Sequence, residues 1–450
     1  MSTTRLEKLG ISAVALLILV STISILFTEE LIDGINVISG DVNDLPECSD
    51  NPPFDSNMFE AEDIESIIPL GNYNPPGHTF PTEHMYVIFN QSSSMKVYAP
   101  GDVKVTYLGV KKYSEAGKGN YNDYDITMHT CTDVNMHLMH MQLDPELIDK
   151  AGKESRCRSY ETHNSEIEMC EYESSFWIDG GTLLGTAGNP QNEHYNFDMG
   201  VKDYRVTNDF IDKEVQGYFL NSVCPFQYFT DDIRQEMESL AGGWGDTGNV
   251  IDPCGEILFD IKGTAQGNWV KKYTPRNSET QYDEHGLGLY YDNIEQDKLV
   301  IASSSDGGYS YKYGPSETGL QNRSFSSVVA DGNIYCYETG FYPNDIILIE
   351  LIDDENLKIE RVASANFSCS SSENLVFSNN AEIFVRYVTS PPDWYYDMDG
   401  ERFIGKILPI FLFCGAAIIS LILIFNRKGW FSIFKRQNDP PKKIIALPDQ

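Results

Sequence analysis

Seven of the chain's eight histidines, His78, His84, His129, His137, His140, His163 and His194, fall in one stretch of the sequence. Imidazole is the commonest protein metal ligand and titrates near neutral pH, so this crowd raises two chemistries: zinc ligation and proton transfer. Packing also gathers histidine, and the neighbouring residues must separate these readings. Three segments hold the side chains that could act together. The first is Pro81-Thr82-Glu83-His84-Met85-Tyr86-Val87-Ile88, followed by Val97-Tyr98-Ala99-Pro100-Gly101-Asp102-Val103. The second is Tyr124-Asp125-Ile126-Thr127-Met128-His129, continued by Met136-His137-Leu138-Met139-His140-Met141. The third runs from Gly180-Gly181-Thr182-Leu183-Leu184-Gly185 to His194-Tyr195-Asn196-Phe197-Asp198.

Strands must position these groups. Between about residues 85 and 206, short runs alternate apolar and polar residues (86–89, 96–99, 103–110, 124–129, 134–143), with glycine and asparagine between them, as in antiparallel sheet. On a strand, alternation places His194, Asn196 and Asp198 on one face and places His137 opposite His140. His129 and His137 read as packing or hydrogen-bonding residues, and His163 as a surface residue between Cys157 and Cys170. Met136, Leu138, Met139 and Met141 read as core filling. Few stretches show helical periodicity, the best being 144–150 and 230–240.

From about residue 204 histidine nearly vanishes while glycine, serine and tyrosine rise. Strand-like runs continue (256–261, 287–291, 298–302, 309–313, 333–337, 346–352, 381–388), so 204–395 reads as a second all-β domain, barrel-like or sandwich-like. Gly267-Asn268-Trp269 is similar to the Gly-x-Trp opening of lipocalins.

Two apolar runs, 11–27 and 407–425, belong to no soluble fold. The second approaches the roughly 20 residues that span a bilayer and reads as a transmembrane helix. The first reads as an anchor or a signal peptide. Basic flanks at 1–10 and 426–450 would stay cytoplasmic, which puts 28–402 outside the cell. Residues 28–70 read as an acidic tether. The formal charge of −34 arises wholly between the two runs, since both flanks are net positive, and it excludes a nucleic-acid partner for that part. Cys414 lies in the second run. The other eight cysteines fit an exported disulfide framework, with close spacing suggesting Cys157–Cys170, Cys224–Cys254 and Cys336–Cys369 and leaving Cys48 for Cys131. Asn90, Asn322 and Asn366 open glycosylation sequons.

In order and content, residues 77–203 resemble the lysostaphin-type (LytM-like) zinc endopeptidases, which cleave peptidoglycan cross-links. The resemblance implies a duplicated hybrid motif fold in a domain spanning 71–203. That family shows a His-x3-Asp segment, an Ala-Pro strand pair, an Ile-x-His strand, an Ala-His-Leu-like strand and a glycine turn ending in His-x-His-Phe. Carried over residue by residue, the resemblance makes His84 the first zinc ligand. Ile88 then stands where the aspartate ligand belongs and Asn196 where the last histidine belongs. His140 and His194 match the residues that handle protons and the oxyanion. An aliphatic side chain offers zinc no donor and an amide is a poor one. The expectation is a mostly β, membrane-anchored, extracellular pseudoenzyme without a metal, binding a cell-envelope polymer or envelope protein. The alternative is an active zinc endopeptidase with altered ligands, drawing on His78 and Asp198 as substitutes.

Overall fold

Alternation of apolar and polar residues becomes two antiparallel sheets in this computed structural model, which describes residues 44–387 without 90–94, 116–118, 162–164, 188–195, 276–281, 339–344, 364–368 and 370–374. The first sheet has twelve strands: β1 Ile64–Ile68, β2 Met85–Phe89, β3 Met95–Tyr98, β4 Val103–Glu115, β5 Gly119–His129, β6 Val134–Leu143, β7 Glu154–Glu161, β8 Ser165–Tyr172, β9 Phe176–Ile178, β10 Leu183–Ala187, β11 Asn196–Asp203 and β12 Ser222–Val223. Its main path runs β1-β2-β11-β6-β5-β4-β8-β7. β10 joins β3 and β6, while β9 and β12 pair with β4 and β11.

One face of this sheet is apolar because every second residue is. Met85, Val87 and Phe89 of β2 bury there with Phe197, Met199 and Val201 of β11, Met136, Leu138 and Met141 of β6, and Ile126 and Met128 of β5. Each such side chain contributes roughly 1.5–3 kcal/mol relative to exposure. Phe210, Phe219, Phe226 and Phe229 join the same cluster, so the segment after β11 buries its rings with the first sheet. The opposite face collects the polar partners: Asp198, Gly200 and Lys202 of β11, Asp123 and Asp125 of β5, and Lys111 of β4.

The parity of β6 changes partway along it. Tyr124 is opposite Met141 and Ile126 opposite Leu138, which leaves Met139 and His140 together facing the single residue Asp125. Two residues against one make a β-bulge, and His140 takes the left-handed conformation there, φ 66°. The extra residue turns His140 onto the same face as His137. The expectation from strict alternation, that the two histidines oppose one another, is corrected by this bulge.

Two helices lie among the described residues near the expected places, α1 Pro145–Ala151 and α2 Asp231–Ser239. Asp144 caps α1 by accepting the Glu146 N–H, and proline opens it.

A short hairpin, β13 Gly242–Gly243 and β14 Asp246–Thr247, precedes the second sheet. The eight strands of that sheet are β15 Gly267–Lys271, β16 Gly286–Tyr291, β17 Leu299–Ser303, β18 Tyr309–Tyr313, β19 Tyr335–Glu338, β20 Asp345–Leu351, β21 Asn356–Ala363 and β22 Glu382–Val385. They run in the order β18-β17-β16-β15-β22-β21-β20-β19, so β15, first in the chain, pairs with β22, last in the chain, while β18 and β19 stand at the two ends of the order. Trp269 on β15 is wholly buried; its indole N–H donates to the Ala265 carbonyl at 2.8 Å, and the Arg386 guanidinium lies 3.9 Å from its ring centroid. The run 256–261 is no strand. Asp260 there accepts from the Ile211 and Asn268 backbone and pairs with Arg386, an irregular anchoring incompatible with a ladder.

The disulfides are Cys48–Cys131, Cys157–Cys170, Cys224–Cys254 and Cys336–Cys369, the pairing expected from count and spacing. No helix among the described residues is long and apolar enough to cross a membrane. Both apolar runs, 11–27 and 407–425, lie outside the described residues, as do Asn90 and Asn366. Asn322 is partly buried, and its side-chain oxygen accepts the Glu338 N–H at 3.3 Å.

Trp269→Ala would remove the largest wholly buried side chain of the second sheet and its contact with the Arg386 guanidinium. We expect a loss of about 3–5 kcal/mol in urea denaturation. An unchanged midpoint would mean that the tryptophan is not a keystone of that sheet.

Candidate functional site

The polar face of the first sheet is the candidate site. Its centre is Asp198, whose neighbours on β2 and β6 fix what it meets. β11 pairs with β2 so that Asn196 is opposite Ile88, Asp198 opposite Tyr86 and Met199 opposite Met85. On its other side Asp198 is opposite Met139 and Gly200 opposite His137. His84, just before β2, and His140, on the bulge, both turn toward the same carboxylate. Asp198 Oδ2 lies 3.4 Å from His84 Nε2 and 3.4 Å from His140 Nε2. The Asn196 amide donates to Asp198 Oδ1 at 3.3 Å.

Each imidazole leans on a second carboxylate. His84 Nδ1 is 3.2 Å from Glu83 Oε1, and His140 Nδ1–H donates to Asp123 Oδ2 at 2.9 Å. His78 joins the edge of the group, its ring centroid 6.1 Å from that of His84, while Tyr86 packs edge-on against His84 at 4.9 Å. Farther along the face Lys111 pairs with Asp125 at 2.8 Å. Lys202 sits over the Tyr218 ring at 3.5 Å from its centroid, which brings the segment after β11 to this face.

Burial and charge pull against each other here. Burial lowers the pKa of His140, but its bonds to Asp123 and Asp198 win and raise it to about 10. His84 is raised in the same way, by Asp198 and Glu83 against its own burial. Burial would raise Glu83, yet the His84 charge and hydrogen bond bring it to about 2. Asp198 is lowered by His84 and His140 despite burial. His137 has no such partner, and burial lowers it to about 4. Burial and the His84 charge hold His78 below the ordinary histidine range. The arrangement is a buried chain of imidazole–carboxylate pairs, with His84 and His140 flanking the Asp198 carboxylate.

The structure thus draws together His78, His84, His140 and Asp198. Ile88 and Asn196 face each other in register on the same two strands. Ile88 offers zinc no donor and the Asn196 amide is a poor one. His194 lies outside the described residues. Sequence reasoning passed over Asp123, although its alternation with Asp125 on one strand marks an acidic face. It could not have found the role of Gly200, where an added Cβ would stand 2.0 Å from His137 Cε1. His129 does act as a structural group, 3.3 Å from the Asn135 amide.

No family model, curated protein or solved structure matches this chain.

Two outcomes test the network. A group with a raised pKa stabilises fully below its ordinary value and loses that contribution as pH rises through the folded value. For His140 the loss therefore runs from about pH 6.5 up through 10. For His137, lowered to about 4, stability is present above about pH 6.5 and lost as pH falls through 4. In chelator-containing buffer, Tm should decline toward both sides, with His140→Gln flattening the alkaline limb and His137→Gln the acid limb. A wild-type Tm that ignores pH across both windows would contradict the network. Separately, Gly200→Ala should cost about 1–3 kcal/mol in urea denaturation by displacing the His137 ring.

Proposed function

We propose that this chain is a membrane-anchored, extracellular, peptidase-like protein whose polar sheet face binds a cell-envelope polymer or envelope protein without cleaving it. The observation that carries the reading is the apposition of Ile88 and Asn196 in register on β2 and β11. In the family that residues 77–203 resemble, those positions would grip zinc; here they offer one hydrocarbon and one neutral amide. Without a metal at that point no water is activated there. The carboxylate nearest to it, Asp198, is engaged by Asn196, His84 and His140. The four disulfides fit a site outside the cytoplasm, and the apolar runs at 11–27 and 407–425 would tether 28–402 to the outer face of the membrane.

A second reading has one observation in its favour. Asp198 lies at the same 3.4 Å from two imidazole nitrogens, so an ion displaced from the family position toward Asp198 would find His84, His140 and Asp198 around it, with His78 at the edge. That reading makes the chain an active zinc endopeptidase with altered ligands.

One assay separates them. The full-length protein is incubated with peptide-cross-linked envelope polymer, and both retention and newly freed amino groups are measured. We expect retention with no release, and at least a tenfold loss of retention for Lys111→Ala, which removes a cation from the polar face. Zinc-dependent release of amino groups, abolished by His140→Ala, would establish the enzyme instead.

A further inference from the structure

A second group of donors overlaps the Asp198 network at His84. Glu83, His84 and His137 each present a donor atom, and the three atoms lie within 4.8 Å of one another. All three side chains are more than nine-tenths buried. His137 Nε2 is buried with no hydrogen-bond partner, which costs about 1–3 kcal/mol for an uncharged polar atom. We propose that these residues form a closed site for a divalent cation of the zinc class, distinct from the Ile88 and Asn196 positions.

The sheet builds the site from a missing side chain. His137 is opposite Gly200 on one side of β11, and His84 stands one residue before Met85, which is opposite Met199 on the other. The two imidazoles reach toward each other across a glycine that puts nothing between them. A methyl group on Gly200 would fall 2.1 Å from His137 Nε2 itself. Glu83, adjacent to His84, closes the third side.

The donor chemistry suits zinc. Two imidazoles and one carboxylate make a set that zinc takes, with bonds near 2.0–2.2 Å and donors therefore about 3.3 Å apart. Glu83 Oε1 and His84 Nδ1 already stand 3.2 Å apart. Ligation through Nδ1 would leave the His84 Nε2–H to donate to Asp198 Oδ2, now 3.4 Å away. A carboxylate behind a ligating histidine is the usual support for such a metal, because it fixes the ring and raises its basicity. The ion would satisfy the buried, unpartnered His137 Nε2. Lys202 does not already occupy the role: it sits over Tyr218, and no Glu83–Lys202 ion pair occurs among the described residues. Enclosure makes the ion a staple between the start of β2 and β6.

The test uses the full chain, stripped with a chelator and reloaded with Zn(II) or Co(II). We expect one equivalent of zinc per chain, a rise in Tm on loading, and the strong visible absorption of a low-coordinate cobalt site. Glu83→Gln and His137→Gln should each weaken zinc binding at least a hundredfold, and Asp198→Asn ten- to a hundredfold. Ile88→Ala and Asn196→Ala should keep the full equivalent. Circular dichroism of the stripped glutamine variants guards against simple unfolding, and the wild-type cobalt spectrum stands regardless of how they fold. Failure of the stripped wild type to take up stoichiometric zinc overturns the proposal, as does uptake by both glutamine variants equal to wild type. Zinc uptake without release of amino groups from the polymer leaves the binding reading intact, so the two proposals fail separately.

Discussion

A carboxylate with 4 % of its surface exposed has to be compensated, and Asp198 is that carboxylate. Taking an ion of this kind out of water costs several kcal/mol unless partners replace the lost hydration. Two imidazoles and one amide do so here, drawn from three different strands or their edges. Much of the polar face follows from that requirement. Glu83 and Asp123 stand behind the two imidazoles and hold their second nitrogens, so the charge alternates outward from the centre. Gly200 leaves room for rings on either side of the strand.

The bulge on β6 shows how local strain serves this arrangement. A non-glycine residue in the left-handed region costs on the order of 1–2 kcal/mol, and His140 sits there. Regular pairing would have sent its imidazole into the apolar cluster beside Leu138, where a charged ring has no partner. The bulge instead delivers it to Asp123 and Asp198, whose attraction exceeds the backbone strain. The extra position in β6 places His140 on the polar face between Asp123 of β5 and Asp198 of β11.

Much of this architecture was legible in advance. Alternation placed β2, β6, β16, β17 and β18 near their observed bounds, because a sheet with one apolar face writes its period into the residues. Cysteine count and spacing gave all four disulfides. Legibility ended where the backbone departs from its period. β7, β8, β15 and β21 were not singled out, since Gly267-Asn268-Trp269 and the mixed run at 356–363 lack clean alternation. The run at 256–261 has the pattern of a strand, yet its backbone is satisfied by side chains rather than by a neighbour.

The sequence by itself determined which chemistry this chain could carry: imidazole, carboxylate and amide gathered in three segments, with hydrocarbon at Ile88. It also determined that Phe197, Met199 and Val201 share a face opposite Asn196 and Asp198, because that follows from a period of two. Only the tertiary structure decided which of those donors meet. Partners across a sheet depend on register between strands remote in the chain, and register is set by the packing of the whole apolar face. One extra residue in β6 then shifted His140 to the other side, an effect that no local pattern encodes.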